Sequence, residues 1–142
     1  NIMRTGIDVK EDFENYIKAK ITDIKQIETE RFPINFPALI VEYPKENVEY
    51  IGIRLINNKF DIDAQLIMPV GINVKSDMEK LNVILEQIKT LVRTDPSFGN
   101  NFTQIDIGVI EPKNFSIEVN KDQSVEYLGY NISFVVYIYE FI

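Results

Sequence analysis

The sequence predicts an α+β fold: a mostly antiparallel or mixed β-sheet with two α-helices packed on it, plus a β-hairpin, in a single domain spanning residues 1–142. Three observations carry this expectation. Two stretches repeat apolar residues every three or four positions, the period of a helix with one buried face. Several others alternate apolar and polar residues, the period of a half-buried strand. Their order along the chain is helix, strands, helix, strands, with no linker between them, which suits helices layered on a sheet.

The first helix begins near Asp8 and Glu11, which have the spacing of a capping box. Phe13, Ile17, Ile21, Ile24 and Ile27 then line one face, while Glu14, Lys18 and Lys25 fall on the other. Pro33 marks the end, because the residue before a proline disfavours helix. A short apolar run from Ala38 to Val41, between Pro37 and Pro44, reads as a strand. Ile51, Ile53 and Leu55 alternate with Gly52 and Arg54 as a half-buried strand, and Asn57-Asn58 supplies the positive φ angles of a tight turn. Phe60, Ile62, Ala64, Leu66 and Met68 form the returning strand, so this is the clearest hairpin in the chain.

The second helix opens on Ser76-Asp77-Met78-Glu79, another capping-box spacing. Its stripe is Met78, Leu81, Leu85, Ile88 and Val92, widened by Ile84 and Leu91, and Asp95-Pro96 stops it. Ile105, Ile107 and Val109 alternate until Pro112 breaks the strand; Phe115, Ile117 and Val119 alternate next. Asn120 to Gln123 is a polar turn. The final stretch, Val125 to Ile142, is strongly β-forming and apolar on both faces: Ile132, Phe134, Val136 and Ile138 on one, Val135, Tyr137, Tyr139 and Phe141 on the other.

Composition narrows the chemistry. At 142 residues, roughly two thirds of the unfolded chain's surface can be buried. The chain has no cysteine, so disulfides and thiolate metal sites are excluded, as befits a reducing compartment. It has no histidine, which removes the commonest general base and the commonest neutral metal ligand. An enzyme built from this sequence would have to use carboxylates, lysine or tyrosine. A net charge of −7 argues against wrapping nucleic acid, which needs a basic face. No apolar run reaches the ~18 residues of a membrane span, and the N-terminus carries no apolar signal-peptide core. The first residue is Asn1 and not Met, which leaves room for residues upstream.

Four places have two readings. Asp61 and Asp63 share a strand face, either as a carboxylate pair for a divalent cation or as the solvated side of an alternating strand. Asp95-Pro96-Ser97-Phe98-Gly99 is either a binding loop or a helix stop and turn. Lys45, Glu46 and Asn47 form a polar tip after Pro44, either touching a neighbour or facing solvent. The closing strand, apolar on both faces, is either central in a covered sheet or pressed against another chain. In the second case Tyr137, Tyr139 and Phe141 meet a neighbouring subunit, since a tyrosine ring buries area while its hydroxyl keeps a partner. Phe98, Lys45 and Glu46 complete the candidate interface. No catalytic, cofactor or metal residues are assigned.

The element order, the segment Leu91-Val92-Arg93-Thr94-Asp95-Pro96-Ser97-Phe98-Gly99-Asn100-Asn101-Phe102 and the closing Tyr137-Ile138-Tyr139-Glu140 together carry a resemblance. The chain resembles the tail terminator proteins of long-tailed bacteriophages, including the lambda-type minor tail protein U group, and the equivalent proteins of phage-tail-like bacteriocins. The first segment is similar to that family's helix end, acidic residue and glycine turn; the second is similar to its closing strand. Asn1 to Ile7 has no counterpart in the pattern.

The resemblance implies a homohexameric ring on the head-proximal end of a tail tube, stopping its growth and joining it to the neck or head. The implied partners are further copies of the chain, the tail tube protein and neck or head-connector proteins, with sheath a further candidate, and the implied location is a virion or tail-like particle assembled in the bacterial host cytoplasm. No cofactor and no membrane partner are implied. A head-to-tail interface whose rotation closes makes such a ring. The acidic balance fits one through which DNA passes, because a negative lumen repels phosphate. The alternatives are another neck component such as a head–tail joining protein, a tube or baseplate component, an adaptor binding by strand addition, and a carboxylate-metal enzyme using Asp61, Asp63 and Asp95.

Overall fold

A computed structural model of the chain describes residues 4–28 and 35–141, with the side chains of Glu28, Ile117 and Val119 left aside. Among the described residues, two helices lie on a six-stranded mixed sheet, as an α+β fold requires. Helix α1 is Gly6–Lys20 and helix α2 is Val74–Thr94. The strands are β1 (Gln26–Glu28), β2 (Ala38–Val41), β3 (Lys45–Tyr50), β4 (Leu55–Pro69), β5 (Gln104–Asn120) and β6 (Gln123–Phe141).

Both helices start earlier than the sequence pattern implies, for one shared reason. The N-cap of α1 is Thr5, whose hydroxyl accepts the Asp8 N–H at 3.4 Å while the Asp8 carboxylate accepts the Thr5 N–H at 2.9 Å. The N-cap of α2 is Asn73, whose side-chain oxygen accepts the Ser76 N–H at 3.0 Å. Asp8 and Ser76, read from the sequence as first caps, are each the third helical residue of the true cap. Helix α1 also stops at Lys20, well before Pro33, which lies outside the described residues. Ile21 and Ile24 are buried beyond the helix and Ile27 sits in β1. The chain keeps packing on the same core after its backbone leaves helical geometry, so the apolar spacing outlasts the helix.

The sheet runs β1-β2-β4-β6-β5, with β3 beside the first half of β4. Among the described residues only β1 and β2 pair in parallel; the other pairs are antiparallel. The hairpin is present, but its turn is at 51–54, where the Ile51 N–H donates to the Leu55 carbonyl at 2.9 Å and Gly52 takes a φ of 146°. Asn57 and Asn58 are buried inside β4, opposite Glu49 and Val48. Lys45, Glu46 and Asn47 are likewise strand, not a tip. Pro112 does not break β5. It sits opposite Tyr130 within a strand that lies at the sheet's margin, where a missing N–H costs no ladder bond on the open side. A bulge between Ile107 and Ile110 shifts the register there. The polar turn before Gln123 is where the sequence places it. Whether residues 117 and 119 alternate with Phe115 across the sheet lies outside the described side chains.

The pairing register assigns each face. Phe60, Ile62 and Ala64 stand opposite Val136, Phe134 and Ile132, and all six are buried beneath the helices. Val9, Phe13 and Ile17 of α1 and Leu81, Ile84, Leu85 and Ile88 of α2 close this core. Phe13 is its centre, with ring centroids 4.9 Å from Phe134 edge-on and 5.9 Å from Phe98. The opposite face carries a smaller cluster at one end, Ala38, Ile67 and Tyr127, with Phe36, Ile40 and Phe115 packed alongside.

Candidate subunit interface

Strand β6 is central, hydrogen-bonded to β4 on one side and β5 on the other. That accounts for its buried face, Ile132 to Ile138. It does not cover the other. On the outer face Val135 and Tyr137 are half-buried, Tyr139 is 47% exposed and Phe141 is 79% exposed. The exposure rises toward the end of the strand because β5 begins only at Gln104, opposite Tyr137; beyond it the strand meets Thr103, whose N–H donates to the Tyr137 carbonyl at 3.0 Å and whose hydroxyl accepts the Tyr139 N–H.

Register places this row beside the β3–β4 turn: Lys59 is opposite Tyr137, Asn57 opposite Tyr139 and Leu55 opposite Phe141. The turn itself exposes Tyr50, Ile51 and, at 94%, Ile53. One end of the sheet therefore presents Tyr139, Phe141 and the isoleucines of the turn together, beyond the reach of both helices. The alternation of Ile51 and Ile53 predicts a half-buried strand, and the structure has a turn there. Gly52 between them, at a positive φ, is the signal that marks a turn instead. Lys45 and Glu46 belong to the free margin of β3 and are exposed. Asn57, nearly fully buried among these residues, leaves its side-chain oxygen without a hydrogen-bond partner.

Phe98 is not part of this surface. It is fully buried, stacked 4.7 Å from Tyr16 and 6.0 Å from Phe102, and it adopts a φ of 48° that a bulky side chain rarely takes. The segment from Asp95 to Gly99 is a helix stop and turn. The Asp95 N–H caps α2 on the Leu91 carbonyl at 2.9 Å. Its carboxylate accepts the Tyr16 hydroxyl, the Ser97 hydroxyl at 2.8 Å and the Gly99 N–H at 2.9 Å. Arg4 fixes the same loop from the other side, donating to the Asn101 carbonyl and the Asp12 carboxylate above the Phe102 ring. The loop is thus tied to α1 by its own polar groups.

Asp61 and Asp63 lie on the outer face, where Asn47 donates to Asp61 at 3.3 Å and Ser133 to Asp63 at 2.9 Å. Asp95 lies with the helices on the opposite side of the sheet, so these three acids do not converge. Among the described residues no group of three His, Cys, Asp or Glu comes together, and no helix is long and apolar enough to cross a membrane.

No family model and no curated protein matches this chain.

The Tyr16–Asp95 bond makes a pH prediction. The bond from Tyr16, then that from Ser97, holds the Asp95 carboxyl below its ordinary 3.8, and accepting from Tyr16 in turn pushes that hydroxyl up from 10 to about 12. A lowered carboxyl stabilises the fold above its ordinary value and loses that contribution as pH falls through the lowered one. A raised phenol stabilises below pH 10 and loses its contribution as pH rises through about 12. Tyr16→Phe is therefore less stable than wild type at neutral pH, and the gap closes as Asp95 protonates. Thermal melts taken downward through the carboxylate range check this; a gap that stays constant contradicts it.

Proposed function

We propose that this chain is a structural assembly protein of a phage tail or tail-like particle: a tail terminator that forms a head-to-tail, homohexameric ring on the end of the tail tube, stops tube growth and joins it to the neck. The observation that carries the reading is the uncovered apolar end of the sheet. Soluble monomers rarely leave contiguous large apolar side chains in water, and such patches mark protein–protein contacts. Here Tyr139 and Phe141 on a central strand stand next to Ile51 and Ile53 on a turn. Support for the tail-terminator part is the sequence resemblance, with the same helix end, acidic cap and glycine turn at Asp95 to Gly99.

Phe141 is the place to test it, being more exposed than Tyr137, which shares a row with Lys59 and Gln104. A charge there sits in water in the free subunit and is buried in the assembled one. Phe141→Asp keeps the melting temperature of the free subunit within a few degrees and loses self-association. In a tail-assembly reaction it also loses the ability to limit tube length. A variant that assembles as wild type overturns the reading; a variant that unfolds places Phe141 in the core, against its exposure.

A further inference from the structure

The chain carries, on the sheet margin opposite the exposed turn, a groove that this turn would fill. The groove runs between the last turns of α2 and the start of β5, on a floor of Val92, Ile107 and Ile110, with Arg93 on its helix wall and Asp106 on its strand wall. Lys89, also on the helix wall, is already paired with Glu86 at 3.0 Å. The turn offers the converse: Ile51 and Ile53 at its tip, Glu49 on the β3 arm and Arg54 on the β4 side. No ion pair among the described residues involves Glu49, Arg54 or Arg93.

Position decides the occupant. Strand β3 and strand β5 lie on opposite margins of one sheet, so a chain cannot place its own turn in its own groove. A second copy can. The contact is then heterologous and repeats from copy to copy, which is the geometry of a ring or a filament. Strand addition at β5 is a poorer alternative, because the bulge at Ile107–Ile110 and Pro112 interrupt its open ladder. Resting on the self-association proposed above, we infer that the β3–β4 turn of one copy seats in the α2–β5 groove of the next, with Ile51 and Ile53 against Val92, Ile107 and Ile110, Glu49 facing Arg93 and Arg54 facing Asp106.

The absence of cysteine makes the test clean. The full chain carrying both Ile53→Cys and Ile110→Cys is oxidised at a concentration where wild type assembles, alongside each single variant. The seating predicts a ladder of covalent multimers from the double variant and nothing beyond dimers from the singles. Separately, Glu49→Arg weakens self-association by at least about tenfold, and adding Arg93→Glu to the same chain restores it, because like charges facing each other repel and the swap re-pairs them. If wild type assembles but the double variant gives no ladder and Glu49→Arg assembles normally, the seating is wrong and self-association stands on another surface. A wild-type chain that stays monomeric removes both.

Discussion

Replacing Gly129 by alanine collapses the stability of this fold. Gly129 lies in β6 opposite Ile67, and a Cβ built there would stand 1.9 Å from the Leu66 carbonyl oxygen and 2.9 Å from its carbonyl carbon. Those are backbone atoms of the neighbouring strand, with no rotamer to turn aside. The two longest-paired strands, β4 and β6, must move apart at the point where Leu66, Ile67 and Leu128 are buried. Overpacking a well-filled core typically costs about 1–3 kcal/mol and sometimes more. With the barrier formed by backbone, the upper end is expected, at least about 3 kcal/mol, which lowers the melting temperature by roughly 10 °C. Thermal unfolding followed by circular dichroism measures it. A shift of only a degree or two would mean that the strands are not held that close.

Phe13→Ala follows from the other side of the core. The ring is fully buried between Phe134 of β6 and Phe98 of the α2–β5 loop, so it joins three parts of the chain. Its loss removes burial and leaves a cavity, an effect of about 3–5 kcal/mol for a buried phenylalanine. A second consequence is local. Phe98 keeps its unfavourable backbone angle because its ring is held by Phe13, Tyr16 and Phe102. With Phe13 gone the loop from Asp95 to Asn101 loosens. Hydrogen exchange at the Gly99 and Asn100 amides, which donate to Asp95 and Ser97, therefore accelerates by more than the global loss explains. Uniform acceleration across the chain contradicts this.

Both helices and the strands β2, β4, β5 and β6 are legible in the sequence because burial imposes a period, and the core of α2 is read correctly residue by residue. Strands β1 and β3 are not: β3 is exposed along its whole length and so has no apolar period, and the three residues of β1 continue the apolar spacing of α1. The boundaries are harder, since the same chemistry serves two positions. Asp8 and Ser76 are good caps and equally good third residues, so an eligible Thr5 or Asn73 upstream decides the start. Asn57-Asn58 has the composition of a turn, yet long-range pairing with Glu49 and Tyr139 holds it extended. Pro112 breaks a central strand and not a marginal one, and marginality is a property of the whole sheet. The two-faced apolarity of β6 is plain in the sequence. That its outer face is most open at Tyr139 and Phe141 depends on where β5 begins. Phe98 is the converse case: an aromatic in a loop of turn-forming residues has the look of a surface contact, and its burial depends on a tertiary stack.

Self-association through the apolar end of the sheet is the claim on which the functional reading rests. The most direct measurement is native mass spectrometry of the purified chain across a range of concentrations, with Phe141→Asp beside it. The account predicts a closed species at six times the 16.5 kDa subunit for wild type and subunits alone for the variant. Wild type that remains a folded single subunit at the highest concentration contradicts it.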